Sequence, residues 1–159
     1  MRVRIIAIGL LLFVCVSLFA QESDSNRISY SNITEWGSAN ISILPSFCYA
    51  YELTTIQGIS IDKKYHIGLG TGIGGGFSSI GIYTPLFLNY RLYFKPDRKF
   101  SPHLNISMGV LIGEDFIGIR SAITSGFITR RFSFSSGFSF FVANGEFMPG
   151  ITIKWGFVF

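Results

Sequence analysis

Apolar side chains recur at every second position along most of this chain, and that period restricts the fold more than any other feature. In the last segment Ile151, Ile153, Trp155, Phe157 and Phe159 alternate with Gly150, Thr152, Lys154, Gly156 and Val158. Successive side chains of a strand point to opposite faces, so this segment presents one apolar face. The spacing also holds for Phe47, Tyr49, Tyr51, Leu53, Ile59 and Ile61, with Thr55 and Gln57 interrupting it. It returns at Tyr65, Ile67, Leu69 and Ile73, and again at Ile80, Ile82, Leu86, Leu88, Tyr90, Leu92 and Phe94. Leu104, Ile106, Met108, Val110 and Ile112 repeat it, followed by Ile117, Ile119, Ile123 and Phe127, then Phe132, Phe134, Phe138, Phe140 and Val142. These are seven predicted strands. Arg27 to Gly37 is an eighth, with Ile28, Tyr30 and Trp36 on one parity and Ile33 against it.

The position of the ionisable residues decides what the apolar faces meet. Glu52, His66, Arg91, His103, Arg120 and Lys154 all lie mid-strand, on the parity opposite to their own strand's apolar face. A soluble sandwich would pack the apolar faces together and turn the other faces to water. Those outer faces would need more charge than this chain carries, with 14% charged, 48% hydrophobic and 16% aromatic residues. An apolar exterior in lipid around a sparsely polar interior suits the pattern better. The expected fold is all-β, an antiparallel up-and-down transmembrane β-barrel of eight strands.

The N-terminus has its own logic. Arg2 and Arg4 precede an apolar run from Ile5 to Phe19, then Ala20 and a polar segment beginning Gln21-Glu22. A basic start, a short apolar stretch and a small residue before the cleavage point predict a signal peptide over 1–20. The run is short for a membrane helix, which needs about 20 apolar residues. Val14 is a poor neighbour for a lipoprotein reading of Cys15. Cleavage would leave a barrel domain over 21–159, about 17 residues for each strand and its loop, enough for membrane strands of roughly 9–11 residues. It would also lower the formal charge from +4 to +2 by removing Arg2 and Arg4. The basicity therefore supports no nucleic-acid partner. One cysteine, Cys48, would remain, which excludes an intrachain disulfide.

The predicted connections are of two alternating kinds. Asp62-Lys63-Lys64, Lys95-Pro96-Asp97-Arg98-Lys99 and Thr129-Arg130-Arg131 are basic. Gly74-Gly75-Gly76, Gly113-Glu114-Asp115 and Ala143-Asn144-Gly145-Glu146 are glycine-rich or acidic. An even strand number puts both termini and the basic turns on one side, the periplasm in a bacterial barrel. Ile61, Tyr65, Phe94, Phe127, Phe132 and Phe159 would form the interfacial belt there. Both sets of connections are short, which leaves no large platform for a partner.

The segment from Ile151 to the C-terminal Phe159, with Phe157 and Trp155 two and four positions earlier, resembles the β-signal of bacterial outer-membrane proteins. That resemblance implies recognition of Trp155, Phe157 and Phe159 by the barrel-assembly machinery, and a location in the outer membrane with both termini periplasmic. The stretch Tyr49 to Lys95, with Glu52-Leu53-Thr54-Thr55-Ile56-Gln57-Gly58 and Tyr83-Thr84-Pro85-Leu86-Phe87, is similar to small barrels common in Bacteroidetes. Outer-membrane lipid and lipopolysaccharide are the implied surroundings, and a monomer is expected.

Several motifs invite chemistry. Gly70, Gly72 and Gly75 satisfy GxGxxG, but a dinucleotide site needs that spacing to open a helix. Here Gly68, Gly70, Gly72, Gly74 and Gly76 alternate within a strand, where small inward residues let a narrow barrel curve and leave room for bulky neighbours. Three Asn-x-Ser/Thr triplets, at Asn32, Asn40 and Asn105, are within chance. His66 and His103 are the two histidines, and neither sits beside a Ser in the manner of a barrel deacylase. No catalytic residue, metal site or cofactor is therefore expected. The polar cluster predicted inside is Glu52, Arg91, Arg120 and Lys154, joined by Glu35 if the first strand is in register. Eight-stranded interiors are filled by side chains or hold one small ligand, and buried charges must pair or be hydrated. The expectation is a plugged, non-enzymatic outer-membrane barrel with a structural or interaction role. A narrow channel or small-ligand carrier is the alternative, and a lipid A-modifying enzyme follows it.

Overall fold

The computed structural model describes residues 28–42, 48–77, 81–96, 98–143 and 145–159. The predicted signal peptide and its cleavage site, Arg27, Phe47 and Ile80 at predicted strand starts, and the turn residues Asp97 and Asn144 lie outside the described residues. Eight strands follow one another: β1 (Ile28–Ser42), β2 (Cys48–Ile61), β3 (Tyr65–Phe77), β4 (Ile82–Tyr93), β5 (Phe100–Gly113), β6 (Ile117–Thr129), β7 (Phe132–Ala143) and β8 (Glu146–Val158). Each pairs antiparallel with the next, and β8 returns to β1, so the sheet closes as an up-and-down barrel. Among the described residues, closure gives every strand a partner on both sides.

The period of two becomes an inside and an outside. Along β4 every residue from Ile82 to Tyr90 alternates between exposed and buried. On the outside Leu69, Ile82, Leu88, Ile117 and Phe138 are 61% to 77% exposed. Polar residues interrupt the outer surface where Asn32 pairs with Gln57, Thr34 with Thr55, and Thr55 with Thr71 across β1, β2 and β3, and again where Ser125 pairs with Ser136. The Thr55 hydroxyl donates to Asn32 Oδ1 at 3.0 Å.

Three predicted details change. Ile33, which broke the alternation of the first strand, points inward and is fully buried against Ile56 and Phe87. The first strand also continues past Gly37 to Ser42, because a register shift between Ser38 and Asn40 inserts Ala39 as a bulge and reverses the parity beyond it. Gly74-Gly75-Gly76 is not a connection but part of β3, paired with Glu52, Tyr51 and Ala50. Packing is the reason. A Cβ at Gly74 would enter the Tyr83 ring and one at Gly70 the Phe87 ring, so these glycines hold space for aromatic neighbours on β4.

Ala39, Ala50, Tyr83, Leu111, Phe141, Ala143 and Met148 form an apolar plug toward one end of the lumen. The basic turns ring the other end. There Asn32 N–H donates to the Phe159 carbonyl at 3.0 Å and Phe159 N–H to the Asn32 carbonyl at 2.8 Å, which joins the last residue to β1.

Candidate functional site

The inward parity of five strands brings five charges into the lumen. Glu35 comes from β1, Glu52 from β2, Arg91 from β4, Arg120 from β6 and Lys154 from β8, all of them buried. Arg91 Nη2 donates to Glu35 Oε1 at 2.7 Å. Arg120 Nη1 and Lys154 Nζ both donate to Glu52 Oε2, at 2.7 and 2.8 Å. The four residues singled out in the sequence thus fall into two groups. Glu52 holds Arg120 and Lys154, while Arg91 pairs with Glu35. Two carboxylates against three cations leave this cluster one positive charge in excess.

Neutral side chains extend the network. Tyr83 hydroxyl donates to Glu52 Oε1 at 3.3 Å, and Ser133 hydroxyl to Glu35 Oε1 at 3.4 Å. Asn89 Nδ2 donates to Asn105 Oδ1 at 2.7 Å, and Asn105 Nδ2 to Thr124 Oγ1 at 3.2 Å. The Arg120 guanidinium also lies over the Phe87 ring, 4.4 Å from its centroid, a geometry that adds cation–π attraction to the ion pair. The sequence reading missed Asn89, Asn105, Thr124 and Ser133. Their signal was present, since each is a polar residue on the inward parity, but it carried no charge to draw notice.

The middle of the lumen is nearly full. A void of about 10 Å³ lies among Glu35, Asn89, Asn105, Arg120, Thr124 and Lys154. That is close to the smallest space that holds one water. Arg91 Nε and Nη1 and Arg120 Nε are buried without a hydrogen-bond partner. His66 and His103 face inward, 0% and 1% exposed, and neither imidazole hydrogen-bonds a Ser hydroxyl or a carboxylate among the described residues. No group of three His, Cys, Asp or Glu side chains there could hold a metal ion.

Trp155, Phe157 and Phe159 occupy the outer face of the seam between β8 and β1. Trp36 packs edge-on to Trp155 at 6.1 Å and lies 5.7 Å from Phe157, which also meets Phe132 at 6.2 Å and Phe159 at 6.4 Å. These rings bridge three strands where the barrel closes. No protein-family model, curated protein or solved structure matches the chain. The geometry itself carries the fold assignment, a closed antiparallel barrel of eight strands.

Proposed function

We propose that this protein is an integral outer-membrane β-barrel, closed inside by paired charges and serving a structural or interaction role without enzymatic chemistry. The observation that carries this reading is the inverted distribution of side chains. Large apolar residues such as Leu69, Leu88, Met108, Ile119, Phe138 and Ile151 are exposed around the barrel, while Glu35, Glu52, Arg91, Arg120 and Lys154 are buried within it. Water-soluble monomers rarely expose contiguous apolar patches beyond a few hundred Å². A hydrocarbon surround removes that penalty, and a closed barrel satisfies its backbone hydrogen bonds without water.

On this reading the basic rim, with β1 and β8 meeting at it, faces the periplasm. The surroundings are outer-membrane lipid and lipopolysaccharide, and Trp155, Phe157 and Phe159 engage the assembly machinery. The protein works as a monomer without a cofactor, and nucleic acid is not a partner. The small void at the middle of the lumen argues for a plug over an open channel.

Membrane fractionation of cells expressing the full chain tests the location. The protein is expected in the outer-membrane fraction after a urea wash, running in detergent gels as a compact band that shifts on boiling. Recovery in the soluble fraction would overturn the reading. Lipid A mass spectra from cells with and without the protein test the non-catalytic part, and an altered acyl pattern would sink it.

A further inference from the structure

The basic end of the barrel is hollow as well as charged. A cavity of about 480 Å³ opens there, within the range of small-molecule sites. The β2–β3, β4–β5 and β6–β7 connections contribute Lys63, Arg98, Lys99 and Arg130 to its wall. Ser29, Ser31, Ser60 and Ser101, with Tyr93 at the end of β4, also line it. None of the four cations makes an ion pair among the described residues, whereas the lumen cations do. The acidic groups that the sequence puts at this rim are Asp62 beside Lys63, Asp97 beside Arg98 and the carboxylate of Phe159. The four cations exceed these three by one.

Exposed lysines and arginines are ordinarily a solvated rim. Three further observations separate this mouth from one. Ser101 Oγ is buried in the cavity wall without a hydrogen-bond partner, and a buried hydroxyl left unpaired costs free energy. The turns carrying the cations are tied by backbone hydrogen bonds, Arg130 N–H to the Lys99 carbonyl at 3.3 Å and Tyr93 N–H to the Lys64 carbonyl at 2.8 Å. Finally, the charge continues inward, because Arg91, two residues before Tyr93, belongs to a lumen cluster with one excess positive charge. The opposite rim carries Glu114, Asp115 and Glu146. An anion is thus drawn to one end of the barrel and repelled from the other.

We propose that this mouth is an oxyanion-binding site that takes a phosphate-type group between Lys63, Arg98, Lys99 and Arg130, with the Ser101 hydroxyl as an inner donor. Guanidinium and ammonium groups give phosphate oxygens charge-assisted hydrogen bonds, and arginine can do so with two at once. Inorganic phosphate and the phosphate of a lipid headgroup offer the same chemistry. The site itself does not depend on the membrane reading.

The test uses the full chain, folded in neutral detergent, titrated with inorganic phosphate against chloride at matched ionic strength and followed by phosphorus NMR linewidth. Co-purifying phospholipid is measured as bound phosphorus. The variants are Ser101→Ala and a quadruple variant carrying Lys63→Gln, Arg98→Gln, Lys99→Gln and Arg130→Gln, each checked for the heat-shifted folded band. Saturable phosphate binding weakened about tenfold or more in the quadruple variant, and a few-fold in Ser101→Ala, supports a site for free oxyanion. Weak phosphate binding together with co-purifying phospholipid that the quadruple variant loses supports the headgroup as its source. Equal binding of both probes by the parent and the quadruple variant, or binding of neither by the parent, overturns the proposal.

Discussion

Arg91 is fully buried and has one carboxylate partner, so its removal has a readable outcome. Arg91→Leu leaves Glu35 charged in the lumen, with Ser133 as its remaining side-chain donor. Breaking a buried pair by removing one partner costs about 3–5 kcal/mol. The urea midpoint of the detergent-folded protein is expected to fall accordingly, and the double variant Glu35→Gln/Arg91→Leu should recover part of the loss. An unfolding curve identical to the parent's would count against a lumen held by ion pairs. Gly70→Ala is a second case, since the added methyl would meet the Phe87 ring. Overpacking of this kind costs about 1–3 kcal/mol. Adding Phe87→Leu should restore some stability, and no restoration would show that the ring is not the cause. At this scale the parity of Glu52, Arg91, Arg120 and Lys154 in the sequence already marked them as inward. Their pairing was not legible. The ion pairs join residues 56, 68 and 102 positions apart, and which ones meet depends on the stagger of the strands around the barrel, which parity does not fix.

Among the elements, β8 matters most, because its pairing with β1 closes the sheet. Phe157 touches Trp36, Phe132 and Phe159 there, and aromatic pairs add about 0.5–1.5 kcal/mol each beyond the area they bury. Phe157→Ala should therefore lower the stability of the protein refolded in detergent. Phe159→Ala, with fewer ring contacts, should leave refolded stability nearly unchanged and reduce the amount assembled in cells. Equal losses in both settings would mean that Phe159 acts through packing and not as an assembly signal. Seven strands were legible because each keeps its period over most of its length. The first was blurred by a bulge at Ala39 and an inward Ile33, both of which disturb parity for reasons that lie in neighbouring strands. The run Gly74-Gly75-Gly76 looked like a turn for a similar reason. Glycine that makes room for Tyr83 is indistinguishable in sequence from glycine that bends a chain.

For the whole molecule, an apolar plug closes one end, and the ion-paired layer behind the hollow basic mouth leaves space for about one water molecule. Purified protein in planar bilayers is expected to give no conductance steps above baseline, and steady unitary currents would require an interior that opens. Closure into eight strands was legible because alternation, length and the positions of the charges agree. The fullness of the lumen was not, because it depends on how Phe87, Tyr83 and Phe141 fill a cross-section that the sequence does not display. The double backbone hydrogen bond between Asn32 and Phe159 has a further consequence. The two ends of the described chain lie at one rim, so a short linker could join them. The chain could then be reopened near Gly81, where an added Cβ would meet no described atom within 4 Å and the backbone is already left-handed. Such a circular permutant would keep every strand beside its present neighbours while moving Phe159 into the interior of the sequence. It would separate what the barrel needs to stand from what a cell needs to build it.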